Sequence, residues 1–288
     1  MSYANPQALV ETDWLADHLD APDIRVVDAS YYLPGEEGDA RAEYEACHIP
    51  GARFFDIDDI ADETSDLPHM LPSTEKFASR VRRLGLGDGN RIVCYDSRGM
   101  LFAARAWWMF RVFGHEDVAI LNGGLPKWLR EERPTEDRPP APQERHFTAR
   151  FNNFLVRDLD QMLATVEGGS AAVLDARSAG RFAGTEPELR PGLRAGHIPG
   201  SRNLPYGELF DPETGTIRSA AALAASFERV GIDPSGAVVT TCGSGISATA
   251  LAFGLYLLGN RDVAVYDGSW TEWGGRKDTP VETEGAAS

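Results

Sequence analysis

The sequence predicts an α/β protein made of two copies of one unit, each a parallel sheet flanked by helices. Short β-branched runs alternate with helical patterns, which is how parallel strands and their crossover helices read in sequence. The Val-rich runs lack polar alternation, as strands buried on both faces do. Four segments recur in the same order in the two halves, and a domain-sized repeat of that kind signals duplication.

The elements follow in register. Ile24-Arg-Val-Val-Asp-Ala-Ser30 is matched by Val173-Leu-Asp-Ala-Arg-Ser178, and Cys47-His-Ile-Pro-Gly51 by Gly196-His-Ile-Pro-Gly200. Ser73 caps a helix with Phe77, Val81 and Leu84 on one face, closed by Gly85. Ser219 caps its counterpart, with Leu223, Phe227 and Val230 on one face and Gly231 at the end. A β-branched run follows each helix, Arg91-Ile-Val-Cys-Tyr-Asp96 in one half and Ala237-Val-Val-Thr-Thr-Cys242 in the other. A Gly-containing turn and a second apolar helix come next. The last match joins Val118-Ala-Ile-Leu-Asn-Gly-Gly124 to Val263-Ala-Val-Tyr-Asp-Gly-Ser269. Between the halves, the Pro-rich, charged stretch from Glu131 to Arg145 reads as a surface linker. The expected domains are residues 1–135 and 151–288 with a linker at 136–150, and the tail from about Gly275 to Ser288 is expected to be loose.

With 288 residues the chain has room for two domains and a large core without staples. Its net charge of -16 repels phosphate backbones, so nucleic acid is not an expected partner. A small anionic substrate would need local arginines in that field. Cys47, Cys94 and Cys242 are odd in number, widely spaced and form no CxxC, so neither a zinc site nor a disulfide framework is expected. That usage fits a reducing cytosol. The N-terminal residues lack the basic-then-apolar form of a signal peptide. The longest apolar stretch, near Ala248 to Leu258, is too short to span a bilayer. A cytoplasmic protein without a membrane partner is expected.

The chemistry concentrates in Val238-Val-Thr-Thr-Cys242-Gly243-Ser244-Gly245-Ile246-Ser247-Ala248. A strand ends at a cysteine, two glycines follow within three residues, and a helix begins. Glycine admits φ > 0, so successive amides can turn inward into an anion-binding nest, reinforced by the helix N-terminus. A cysteine there is expected to have a lowered pKa and to act as a thiolate nucleophile. The same cradle suits the outer sulfur of a persulfide. A lone cysteine reads equally well as a small buried hydrophobe, which is the expectation for Cys47 and Cys94. A cysteine phosphatase needs an arginine six residues after the cysteine; that position is Ala248, so the phosphatase reading fails. His48 and His197 read as structural turn residues, and Asp28 and Asp175 as turn-fixing.

These residues resemble the rhodanese-type sulfurtransferases, in particular the tandem 3-mercaptopyruvate branch, from about Leu9 to Gly275. The Cys-Gly-Ser-Gly run at 242–245 is the most specific piece; the thiosulfate branch typically carries Cys-Arg-Lys-Gly. Ser247 departs from the more usual threonine but keeps a hydroxyl. The resemblance implies a non-catalytic first half, with Asp96 where the second half has Cys242, and a cleft between the halves. It implies that Arg181 and Arg190, in Gly180-Arg-Phe-Ala-Gly-Thr-Glu-Pro-Glu-Leu-Arg190, meet the donor's carboxylate and carbonyl, with Gly243, Gly245, Ile246 and Ser247 completing the binding loop. It implies that Asp58, His69 and Ser244 form a proton relay, and that Cys242 carries sulfur as a persulfide in a ping-pong reaction. No metal or cofactor is implied. The partners are a small-molecule sulfur donor and acceptor, with thioredoxin a candidate reductant beside cyanide and other thiols. Thiosulfate as donor, or a non-catalytic sulfur-carrier role, are the rival readings.

Overall fold

The computed structural model describes residues 2–283. Each half is a five-stranded, wholly parallel sheet. The first contains β1 (Leu9–Val10), β2 (Ile24–Asp28), β3 (Arg53–Phe54), β4 (Arg91–Tyr95) and β5 (Val118–Leu121) in the order β1-β5-β4-β2-β3. The second contains β6 (Val156–Arg157), β7 (Ala172–Asp175), β8 (Arg202–Asn203), β9 (Val238–Thr241) and β10 (Ala264–Tyr266) in the order β6-β10-β9-β7-β8. The two orders are identical, so the recurring segments are one topology used twice.

Helices cover both sheets: α1 (Thr12–His18), α2 (Ala40–Ala46), α3 (Thr74–Arg83), α4 (Leu101–Val112) and α5 (Gly124–Arg130) in the first half. The second half has α6 (Leu159–Gly168), α7 (Ala179–Ala183), α8 (Ala220–Arg229), α9 (Ala248–Leu257) and α10 (Ser269–Trp273). The predicted caps form. Ser73 Oγ accepts from Lys76 N at 3.2 Å and Ser219 Oγ from Ala222 N at 3.4 Å.

Strand side chains alternate between two cores, as the pleat requires. Val26, Val93, Tyr95, Ala119 and Leu121 face one layer of the first half, while Val27, Ile92, Cys94, Val118 and Ile120 face the other. That second layer is shared, because Leu174, Val238 and Val265 of the other half join the same cluster. Helices α4 and α9 meet at its centre, and every residue of both is buried. The Trp107 ring lies edge-on to Phe253 and Tyr256, at 4.9 and 5.1 Å.

The stretch from Glu131 to Arg145 runs over the surface, and just beyond it the chain is anchored: Phe147 is buried among Phe77, Phe110 and His115, and Arg150 N donates to Phe113 O at 2.9 Å. One expectation needs correction. The tail is not loose as far as residue 283. Trp273 Nε1 donates to Pro280 O at 2.7 Å and Arg194 Nη1 to Thr279 O at 2.8 Å. Glu282 exchanges both backbone bonds with His197, as Glu136 does with His48 in the first half. Each histidine loop is thus clamped by the segment that leaves its domain. Residues 284–288 lie outside the described residues. Among the described residues, no helix is long and apolar enough to cross a membrane.

Candidate active site

Strand β9 delivers Cys242 to the C-terminal edge of its sheet, where α/β proteins place their ligand crevices. The loop 243–247 then turns into α9. Gly245 has φ +79, and a Cβ there would lie 2.6 Å from the Asp267 carbonyl oxygen, so the turn admits no side chain. Among the described residues, the backbone N–H groups of Gly243 to Ser247 meet no acceptor. Ser269 supports the cysteine from below: its Oγ accepts from Cys242 N at 3.2 Å, donates to Tyr266 O at 2.8 Å and lies 4.0 Å from Cys242 Sγ. Cys242 itself is only 2% exposed, at the floor of its cleft.

The first half shows what this loop geometry binds. Asp96 follows β4 as Cys242 follows β9, and its own carboxylate fills the nest. Oδ1 accepts from Arg98 N at 2.7 Å, and Oδ2 from Phe102 N and Ala103 N, each at 2.7 Å. A fixed anion therefore occupies the first-half site; the matching donors in the second half are Ser244, Ala248 and Thr249, of which Thr249 N already donates to Ile246 O at 3.0 Å. Burial outweighs these bonds and pushes the Asp96 carboxyl up to about 6. A raised folded-state value gives stability that is complete below the unfolded value near 4 and is lost as pH rises through 6. Wild type is thus expected to lose up to about 3 kcal/mol relative to Asp96→Asn between pH 4 and pH 7. Urea unfolding of both proteins across that range checks the sign; a rising difference contradicts it.

An open cleft with about 480 Å³ of empty space faces Cys242. The first half contributes Leu33, Pro34 and Leu101; the second contributes Arg181, Arg190, Gly243, Ser244, Ile246 and Ser247. The expected interdomain site is therefore assembled with both arginines beside the thiol. The Asp58–His69 link also forms, His69 Nδ1 lying 2.7 Å from Asp58 Oδ1. That bond holds the Asp58 carboxyl below its ordinary range, with help from Tyr31 and Arg190.

The third link of the expected relay is not made. His69 Nε2 faces Arg190 Nη2 at 3.2 Å, and Ser244 shares no hydrogen bond with the ring. Since guanidinium only donates, Nε2 accepts here and Nδ1 carries the proton toward Asp58. Asp58 and His69 do not line the cleft, and they reach it through Arg190. Gly245 does not line it either: its α-carbon faces Asp267 and Arg105. Cys94 is fully buried, and burial pushes its thiol up; Cys47 is only half-buried, contrary to expectation.

A model described as a rhodanese-like domain matches residues 11–131 and again residues 158–276. The chain belongs to the rhodanese family. It is 40% identical over 308 residues to thiosulfate/3-mercaptopyruvate sulfurtransferase 1, mitochondrial, of Arabidopsis thaliana, covering 100% of this chain and 81% of that one. It is 43% identical over 279 residues to human 3-mercaptopyruvate sulfurtransferase, covering 94% of each. Among solved structures, it superposes on SseA from Escherichia coli, described as showing the rhodanese fold of 3-mercaptopyruvate sulfotransferases. That match has a TM-score of 0.84 and 40% identity, and covers 91% of this chain and 98% of SseA.

Two residues of this rhodanese site escape motif reading. Arg105, on α4 of the first half, is fully buried and reaches across to the second. Its Nη1 donates to Asp267 Oδ1 at 2.7 Å and Gly245 O at 3.0 Å, and its Nη2 donates to His69 O. Asp267 Oδ2 in turn accepts from Leu71 N at 2.8 Å. One buried ion pair thus ties the cysteine loop to the histidine loop. The signal was present as a charge inside the otherwise apolar run Leu101 to Phe110. The equivalent positions in the other half are Leu251 and Asn122, and Asn122 Oδ1 accepts from Ile217 N at 3.0 Å. The neutral half keeps the interdomain bond without the charge.

Proposed function

We propose that this rhodanese transfers the sulfur of 3-mercaptopyruvate to a thiophilic acceptor through a persulfide on Cys242, releasing pyruvate. The observation that carries this reading is a cysteine at the end of a parallel strand, under open loop amides, sharing one cleft with Arg181 and Arg190. A planar guanidinium pair suits the carboxylate and carbonyl of a 2-oxo acid.

The Cys242 thiolate attacks the donor sulfur. The S–S bond forms as the C–S bond breaks, and the C–S electron pair stays on carbon as an enolate. The proton on the transferred sulfur is released, and one proton is taken up at carbon to give pyruvate. The persulfide anion then rests against the amides of residues 243–247. Arg190 turning from His69 to the donor carboxylate frees His69 Nε2, which can then take part with Ser244 in moving the proton. An acceptor thiol or cyanide removes the outer sulfur and restores the thiolate. Thioredoxin is a candidate acceptor. We assign the chain to the cytoplasm, because its three cysteines are unpaired and suit a reducing compartment.

Thiosulfate is the second donor to consider, since the Arabidopsis relative carries both substrates in its name. Parallel assays of pyruvate release from mercaptopyruvate and sulfite release from thiosulfate decide between them, with intact mass reporting the enzyme form. The expected result is preference for mercaptopyruvate and a mass gain of one sulfur without acceptor. Faster turnover of thiosulfate overturns the donor assignment, and an unchanged mass overturns the persulfide.

A further inference from the structure

The two walls of the cleft are held with unequal strength. On the second-half side, Glu188 pairs with both Arg177 and Arg181, and none of the three side chains is more than 16% exposed. On the first-half side the wall is the turn Leu33-Pro34-Gly35-Glu36, which brings Leu33 and Pro34 to the cleft. Pro34 and Gly35, the latter with φ +88, make the corner that a type II turn favours. Glu36 closes the turn twice: its N–H donates to Leu33 O at 3.0 Å, and its Oε2 accepts from Leu33 N at 2.8 Å. The same Oε2 lies 3.3 Å from Arg98 Nη2, and the side chains of Arg98 and Glu36 are 42% and 34% exposed. Among the described residues, this ion pair is the one polar tie between residues 33–38 and the rest of the chain. Arg98 stands in the first half's counterpart of the cysteine loop, where its N–H donates to Asp96 Oδ1 at 2.7 Å, and its guanidinium lies 5.1 Å from the Tyr32 ring centre.

We infer that the turn 33–36 is a gate on acceptor access, and that its latch, Glu36 with Arg98, determines the size of thiol that can collect the sulfur. Cys242 is 2% exposed at the floor of the cleft, so an acceptor has to bring its own sulfur down between the two walls. Cyanide or a two-carbon thiol passes with the turn in place. A branched tripeptide thiol such as glutathione keeps its bulk at the mouth, against Leu33 and Pro34. There the acceptor thiolate bonds to the outer sulfur, the bond from that sulfur to Cys242 Sγ breaks, and Cys242 leaves as thiolate while the acceptor carries the persulfide. Room for the larger acceptor comes from the wall that yields more easily. Displacing the turn breaks one exposed ion pair, which is weak and screened by salt; displacing the other wall strands buried charges. The non-catalytic copy thus holds the gate, through the loop that its Asp96 keeps in shape. This inference rests on the sulfurtransferase reading above and adds acceptor selection to it.

The test measures kcat/KM for glutathione and for 2-mercaptoethanol, with mercaptopyruvate as donor, in wild type, Glu36→Gln, Arg98→Gln and Arg98→Lys. The two Gln variants are expected to raise the glutathione-to-mercaptoethanol ratio about three- to fivefold, the weight of one exposed ion pair. Arg98→Lys keeps the charge and is expected to stay within about 1.5-fold of the wild-type ratio, as is kcat/KM for mercaptopyruvate in all variants. A ratio that is unmoved or falls in the Gln variants overturns the gate, and so does an equal change for both thiols. Arg98→Lys behaving as Arg98→Gln assigns the effect to shape and overturns the latch. Salt gives a second reading without any reliance on how Arg98 variants fold. Sodium chloride is expected to raise the ratio more in wild type than in Glu36→Gln, since only wild type has the pair to screen; an equal response overturns the inference. Wild type that releases no pyruvate from mercaptopyruvate removes the underlying reading, whereas transfer with an unmoved ratio removes only the gate.

Discussion

Cys242→Ser is expected to lower sulfur transfer by at least about a thousandfold, to background, while leaving the fold intact. A serine hydroxyl fits the same space, and its support from Ser269 Oγ runs through the backbone N–H, which is unchanged. What disappears is a sulfur nucleophile able to attack the donor and to hold a second sulfur. Cys47→Ser and Cys94→Ser are expected to keep transfer per folded molecule. Cys94→Ser places a hydroxyl inside a central strand and is expected to cost about 1–3 kcal/mol of stability. Pyruvate release, intact mass and urea unfolding read the three variants. Transfer surviving in Cys242→Ser, or lost equally in all three, contradicts the assignment of the sulfur carrier.

Arg105→Ala is expected to be the most damaging change outside the cysteine loop. It leaves Asp267 buried and unpaired, which typically costs about 3–5 kcal/mol, or roughly 10 °C in Tm for a chain of this size. It also removes the one donor group shared by Gly245 O and His69 O. The double variant Arg105→Leu with Asp267→Asn installs the residues of the other half, Leu251 and Asn122. It is expected to recover most of the lost stability, since no buried charge remains and Leu71 N keeps an acceptor. Activity is not expected to return, because the two loops have lost their common tie. Calorimetry and kcat/KM together separate these effects. Full activity in the restabilised double variant would show that Arg105 serves packing rather than positioning.

Much of this molecule is legible in its sequence because the information is local. A Ser73 or Ser219 cap, a β-branched run and a glycine turn each declare themselves within a few residues, and the recurrence of all of them exposes the repeat. The Cys242 loop is legible for the same reason: strand, nucleophile, two glycines and helix are contiguous. The partners that act across the halves are less so. Arg105 looks like one more helical arginine until α4 is packed, and Glu188 looks like a solvated loop acid until Arg177 and Arg181 close on it. The relay was half visible. Asp58 and His69 meet as expected, but no local pattern says that Arg190 occupies the ring nitrogen expected to face Ser244. The tail shows the opposite error. Residues 275–283 are polar, yet Trp273 and Arg194 capture their carbonyls, so composition alone misjudged them.

Helices α4 and α9 have no side that faces water, and each is covered in part by the other. Neither rhodanese unit has a finished exterior of its own. Either half on its own would present an apolar rod to solvent, so the two must stay together. The copy that carries Asp96 is retained as an obligate brace, and drift within it is limited by shape and, at Asp58, His69 and Arg105, by the site it helps to build.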